Sequence, residues 1–414
     1  MLRRLNTDYQ LVAIALTLSL FGLAMVYSAG QTDAVTGYER FWQRQLIWLI
    51  LGLCAMVGVT RASVRMIEWL TVPAYIGIVA LLAITLLAGT GAGTAASTKS
   101  WIGFGGLRIQ PAEFGKIVVV LMLAKVLAGR REAPKSLLEL WQPALIVGIP
   151  WLLIMRQPDL GTGIAFIGIF FAMLYWAGVS WPLLVLIASP VVSLILGGDT
   201  GLWGAWFLLL LALVLYYRPY LVEGVVLILA NVAMGILAPF LWNQLGPYRQ
   251  RRLLTFLDPS ADPRASGYQV LQSQTAIGSG GWFGQGFLDG PQKSLGFLPA
   301  QHTDFIFAVT GEEFGFFGVT IALALFCVLF LRTTGIAARA NDSFSSLVAF
   351  GLAASWFVHV LVNVGMTLNL MPITGIPLPF FSYGGSFMLA SWIAVGILVR
   401  IASEGRGQGD RFLI

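Results

Sequence analysis

Long apolar runs recur from end to end of the chain and are separated by short polar turns. They lie near residues 9–29, 43–60, 67–89, 112–128, 140–156, 160–177, 181–198, 202–217, 220–241, 305–331, 345–370 and 386–402. Their lengths approach the roughly 17–25 residues that a helix needs to span a bilayer. The pattern predicts about twelve transmembrane helices in an all-α polytopic membrane protein, with residues 1–414 forming a single transmembrane domain. The first run follows Met1-Leu2-Arg3-Arg4 and is longer than the core of a signal peptide, about 7–15 residues, so an uncleaved anchor is expected.

Two stretches break the rhythm. Residues 242–304 are rich in Gly, Pro and Arg and too long for a simple connector, so they read as a large extracytoplasmic loop. Residues 371–385, MPITGIPLPFFSYGG, are apolar yet interrupted by Pro372, Pro377 and Pro379. Irregular backbone at membrane depth must be buried in protein or line a cavity. A re-entrant or lid segment is expected there, the alternative being a hairpin lying on the headgroups. No internal repeat stands out, which weakens an inverted-repeat transporter reading.

Composition agrees with the pattern. The chain is 57% hydrophobic and 11% charged, against about 25% charged for soluble domains. The net charge of +6 fits cytoplasmic loop anchoring better than nucleic-acid binding. Short loops on one side hold Arg61, Arg65, Arg130, Arg131, Lys135, Arg218, Arg332 and Arg339. The other side's short loops hold Arg40, Arg44, Lys99, Arg108 and Arg156. That bias puts both termini in the cytoplasm and the 242–304 loop outside. Cys54 and Cys327 indicate no disulfide framework, and two histidines argue against a zinc site.

Candidate chemistry centres on Asp304, where the long loop enters an apolar helix. A carboxylate at the membrane–water boundary is costly to desolvate and usually functional. It reads as a general base, or as an N-cap for a helix starting at Phe305. Glu113 and Lys116 share a helix face, either as a structural ion pair or lining a cavity where Lys116 meets phosphate oxygens. Asp159, after Arg156-Gln157-Pro158, is a cap or a group that orients a nearby cation. Glu312 and Glu313 read as possible anchors to another helix. Arg249 and Lys293 in the long loop suit phosphate contact or anionic headgroups, and His302 lies two residues before Asp304. The glycine-dense run Gly278–Gly286 reads as an anion-approaching backbone or a ligand-free turn. His359 and Asn363 share a helix face, with an interhelical hydrogen bond as the default reading.

Together these segments resemble the SEDS family of shape, elongation, division and sporulation proteins. The likeness rests on Gln110-Pro111-Ala112-Glu113 with Lys116, Gln157-Pro158-Asp159-Leu160-Gly161, Gly267-Tyr268-Gln269-Val270-Leu271-Gln272-Ser273, Ala276-Ile277-Gly278-Ser279-Gly280-Gly281, His302-Thr303-Asp304-Phe305-Ile306-Phe307-Ala308, and Ile376-Pro377-Leu378-Pro379-Phe380 with Ser382-Tyr383-Gly384-Gly385. Asp258-Pro259, Asp262-Pro263 and Gly267-Tyr268-Gln269 resemble the elongation type more than the division type. One departure stands out. Family members usually have ten helices, whereas three apolar runs here fill an interval that holds one, so residues 181–241 include two extra helices.

The resemblance implies a peptidoglycan glycosyltransferase that polymerises lipid II into β-1,4 glycan strands at the outer face of the bacterial cytoplasmic membrane. It implies an inverting reaction with Asp304 as base and Glu113, Lys116, Asp159, Arg249, Lys293 and His302 around the substrate. Mg²⁺ or Mn²⁺ is a candidate cofactor with few carboxylates to hold it and no assigned metal ligand. The implied partners are a class B penicillin-binding protein, the growing glycan strand and membrane lipids. A lipid II flippase and an O-antigen-type polymerase or ligase are the alternatives.

Overall fold

The structure is a computed structural model that describes residues 8–33, 37–91, 99–104, 107–244, 250, 254, 256, 266–298 and 300–409. Twelve apolar helices fall on the twelve runs. They are α1 Tyr9–Gly30, α2 Phe41–Thr60, α3 Val64–Ala88, α4 Pro111–Ala128, α5 Trp141–Arg156, α6 Leu160–Trp176, α7 Trp181–Leu196, α8 Thr200–Tyr217, α9 Leu221–Gln244, α12 Ile306–Ala338, α13 Ser343–Thr367 and α14 Gly385–Gly409. Among the described residues, nine are long and apolar enough to cross a membrane. The other three are short or charged: α6 and α7 have 17 and 16 residues, and α4 carries Glu113, Lys116 and Lys125.

Burial ranks the helices. The most apolar stretches of α13 and α14 are 72% and 78% buried, whereas that of α8 is 6% buried. The bundle is therefore organised around α13 and α14. α14 lies against α2, α13 against α4, α6 and α12, and α1 against α12. α7, α8 and α9 pack mainly on one another, pinned by a buried knot in which Asn231 accepts from Ser193 and donates to Ser189. The far end of α12 is tied to the start of α1 by Arg332, whose Nη2 lies 2.7 Å from Asp8.

Within the long loop, two helices are described. α10, Ser266–Gly280, packs on α12, and α11, Pro291–Ser294, follows it. A small hairpin pairs β1 Ile102–Phe104 with β2 Leu107–Ile109.

α12 is two helical pieces joined at Gly315, whose φ of 61° no ordinary residue adopts easily. The run 281–286 lies against this break. Phe316 and Phe317 N–H groups donate to Gly281 and Trp282 carbonyls, while Gln285 and Gly286 N–H groups donate to Glu312 and Glu313 carbonyls. A Cβ on Gly284 would sit 2.0 Å from the Glu313 carbonyl oxygen. The glycines thus serve close backbone pairing, and the N–H groups of Gln285 and Gly286 are spent on α12 rather than on an anion.

Candidate active site

Asp304 sits in a turn, 301–305, immediately before α12. The helix begins at Ile306, with Phe305 at the cap position and Asp304 one residue before it. Three successive carbonyls of the turn are held from outside. The His302 carbonyl accepts from Tyr383 N–H at 2.9 Å, that of Thr303 from Ser382 Oγ at 2.7 Å, and that of Asp304 from Asn363 Nδ2 at 2.9 Å. The Asp304 side chain is half-buried. Gly375, at φ 76°, faces it: a Cβ there would stand 3.3 Å from Asp304 Oδ2.

The 371–385 segment is buried among the helices rather than spread on the surface, with Ile376, Leu378, Phe380 and Phe381 all at 2% exposure or less. Its polar backbone is satisfied by side chains, as buried irregular chain requires. Gln45 donates to the Ser382 carbonyl and accepts from Gly384 N–H. Asn363 donates to the Ile376 carbonyl at 2.7 Å as well as to Asp304.

One turn before Asn363 on α13, His359 joins this segment to α4. Its Nδ1 lies 3.0 Å from the Pro377 carbonyl and its Nε2 lies 2.7 Å from Lys116 Nζ. A carbonyl only accepts, so Nδ1 carries the proton and Nε2 accepts from the lysine ammonium. Lys116 also contacts Glu113 at 2.7 Å and lies over the Phe387 ring at 4.5 Å. Both charges are almost fully buried. Asp159 caps α6 through Thr162 N–H at 3.0 Å and accepts from Gln110 Nε2 at 2.9 Å, which places it beside the start of α4. α13 thus links Asp304 to Lys116 and its partner Glu113, and Asp159 joins the start of α4 through Gln110. His359→Leu would leave the Pro377 carbonyl and the Lys116 ammonium each short of a buried partner. It is expected to cost about 1–3 kcal/mol of stability, read as a lower unfolding temperature in detergent.

The other expected site residues fare differently. Arg249 lies outside the described residues. Lys293 is fully buried, and its three ammonium protons are spent on Glu313 at 2.8 Å, Ser28 Oγ at 3.1 Å and the Leu288 carbonyl at 2.9 Å. With no proton left for phosphate, its substrate-binding reading is corrected to a structural one. Glu312 accepts from the N–H groups of Gln292 and Lys293, capping α11, and Glu313 also holds Ser28 on α1. Both glutamates are the anchors suggested by their positions. His302 is boxed by Tyr38, Phe41 and Tyr383 with ring centroids 4.5, 4.8 and 5.8 Å away. Burial pushes its pKa down to about 4, so it is neutral at pH 7 and offers no cation to a pyrophosphate.

That shift has a sign. The unfolded chain binds a proton near pH 6.5 and the folded chain only near pH 4, so folding is favoured above pH 6.5 and this contribution is lost as pH falls towards 4. His302→Phe, which suits the aromatic box, is expected to flatten the fall in unfolding temperature between pH 7 and pH 4.5.

Among the described residues, no three His, Cys, Asp or Glu side chains converge as metal ligands. Of the carboxylates at this end, Glu113 is paired with Lys116 and Asp159 caps a helix. The donor set does not fit a divalent cation held by protein ligands alone, which typically takes six or more oxygens.

A helical bundle with a clamped, half-buried carboxylate at one end and a buried charge cluster linked to it defines a polytopic membrane protein with a polar site between its helices. The chain belongs to the FtsW/RodA/SpoVE family, the SEDS family: the family profile, described as "Cell cycle protein", matches residues 9–197 and 180–407. The peptidoglycan glycosyltransferase RodA of Treponema pallidum is 35% identical over 423 aligned positions, covering 95% of this chain and 97% of that protein. The peptidoglycan glycosyltransferase MrdB of Escherichia coli K12 is 33% identical, covering 96% and 94%. A chain from a structure described as "Structural coordination of polymerization and crosslinking by a peptidoglycan synthase complex" superposes with a TM-score of 0.73 at 27% identity, covering 97% of this chain and 99% of that one.

Proposed function

We propose that this chain is a peptidoglycan glycosyltransferase of the elongation type, polymerising lipid II at the outer face of the cytoplasmic membrane with Asp304 as general base. The observation that carries this reading is the contrast among carboxylates. Glu113, Glu312 and Glu313 are buried, whereas Asp304 is only partly buried, on a turn whose carbonyls are fixed by α13 and the 371–385 segment. Positioning of this kind suits a base that must meet a substrate proton. The excess of cations at the opposite end of the bundle supports an outer location for Asp304.

In the reaction, Asp304 takes the proton of the acceptor sugar's 4-hydroxyl as its oxygen attacks the donor's anomeric carbon. The new C–O bond forms as the bond to the lipid pyrophosphate breaks, and the electron pair leaves with the pyrophosphate. One displacement inverts an α-linked donor into a β-1,4 link. The Lys116–Glu113–His359 cluster holds the 371–385 segment against the Asp304 turn and so acts as a positioning group. Mg²⁺ or Mn²⁺, when bound, would supply charge compensation for the departing pyrophosphate, with no set of side chains among the described residues to hold it. The crosslinking partner is a class B penicillin-binding protein. The two helices beyond the usual ten are assigned to the peripheral α7–α9 unit.

The test is polymerisation of labelled lipid II by the purified chain, with and without that partner, resolved on a gel. Glycan ladders are expected. Movement of lipid II between leaflets with no polymer would favour a flippase instead.

A further inference from the structure

Gly375 and Asp304 face each other across an open gap. A Cβ on Gly375 would stand 3.3 Å from Asp304 Oδ2, and, chain neighbours aside, no other heavy atom of the described residues lies within 4 Å of that point. Ile373 and Ile376 on either side are buried, whereas Gly375 itself is exposed. The gap therefore opens at the protein surface and ends on the carboxylate.

Both walls are fixed. Asn363 Nδ2 donates to the Asp304 carbonyl at 2.9 Å and to the Ile376 carbonyl at 2.7 Å, so one buried amide sets the spacing between them. Behind the segment, a Cβ on Gly161 of α6 would meet Ile376 Cγ1 at 2.7 Å and the Thr374 carbonyl oxygen at 2.9 Å. Contacts that close leave residues 374–376 no room to step back from Asp304 towards α6. A side chain at position 375 would fill the gap rather than displace its wall.

Backbone conformation alone does not account for the glycine. Its φ is 76°, a region that asparagine and aspartate also enter. The missing Cβ matters because a hydroxyl must come within about 2.5–3.0 Å of a carboxylate oxygen to hydrogen-bond it. A methyl group 3.3 Å from Oδ2 would stand in that approach.

We propose that Gly375 lines the seat of the acceptor hydroxyl, its bare backbone leaving room for the acceptor sugar's 4-oxygen against Asp304 Oδ2. The inference rests on the reading of Asp304 as the base. From that seat the hydroxyl proton passes to Oδ2 while the oxygen bonds to the donor's anomeric carbon. The pyrophosphate leaves with the electron pair of the bond that breaks.

The test is lipid II polymerisation by the full chain in detergent, with the unfolding temperature measured on the same samples. Gly375→Ala is expected to lower the rate about 10- to 100-fold, the scale of a misplacement near 1 Å. Gly178→Ala is the control for backbone strain. Gly178 also has a positive φ, 87°, lies past the far end of α6, and its Cβ would meet only Ala133, at an ordinary 3.5 Å. That variant is expected to lower the unfolding temperature as Gly375→Ala does and to polymerise at the native rate. Asparagine adopts positive φ more readily than alanine, so Gly375→Asn is expected to keep the wild-type unfolding temperature and to lose at least as much activity. Native-rate polymer from either folded Gly375 variant, an equal loss in Gly178→Ala, or failure of both Gly375 variants to fold would overturn the proposal. Native-rate polymer from Asp304→Asn would overturn it together with the base. Inactive Asp304→Asn beside fully active Gly375→Ala would remove the seat and leave the base in place.

Discussion

Asp304→Asn is expected to lower lipid II polymerisation by about 100- to 10,000-fold, the range a positioned general base contributes. Asparagine keeps the size and shape of aspartate but cannot accept the acceptor hydroxyl's proton. The backbone clamp does not involve the side chain: the carbonyls of His302, Thr303 and Asp304 are held by Tyr383, Ser382 and Asn363 whatever residue 304 carries. The unfolding curve of the variant, measured beside that of the wild type, separates a chemical loss from a folding loss. Asp304→Glu keeps the carboxylate but displaces it by one methylene, and a result between wild type and Asn is expected. Polymer formed at the native rate by folded Asp304→Asn would reject Asp304 as the base and leave the family membership untouched.

The membrane helices were legible in the sequence because a lipid-embedded helix must satisfy its backbone internally and present apolar side chains outward. Each apolar run therefore became a helix. The ends differ where local chemistry intervenes. The run to 370 stops as a helix at Thr367, before Asn369 turns at φ 59°. The last helix continues past 402, supported by the Arg400–Glu404 pair. Helix α10 was not legible: its Ser, Gln and Gly residues give little hydropathy signal, and it gains its place by packing on α12 and by the bond from Ser273 to the Thr367 carbonyl.

The site was legible where spacing is local. Glu113 and Lys116, three apart, form the expected ion pair, and Asp159 occupies a cap position. What the sequence concealed are long-range bonds. His359 and Asn363 announce themselves only as two polar residues one turn apart in an apolar helix. Their partners, Lys116, Asp304 and the Pro377 and Ile376 carbonyls, come from three other parts of the chain. Lys293 was misread as a phosphate contact for the same reason. Its ion-pair partner is 20 residues away and Ser28 is 265 away, beyond any rule of helical spacing.

Lys293→Ala is expected to destabilise the fold by about 3–5 kcal/mol, the cost of removing one member of a buried ion pair. Both side chains of the Lys293–Glu313 pair are 0% exposed. The truncation would leave the buried Glu313 carboxylate without a counter-charge, held by Ser28 Oγ, and deprive Ser28 Oγ and the Leu288 carbonyl of a donor. The loss propagates to the site, since residues 281–298 are fastened to α12 by this pair and by the Glu312 cap of α11. That stretch leads into the turn holding Asp304. Lower activity is therefore expected to accompany a lower unfolding temperature. The double substitution Lys293→Met with Glu313→Leu removes both charges and is expected to recover most of the stability, because replacing a buried pair by apolar groups is often neutral. A phosphate-binding lysine would behave differently: Lys293→Ala would raise KM for lipid II while leaving the unfolding temperature unchanged. That outcome would return Lys293 to the substrate and require the loop to open.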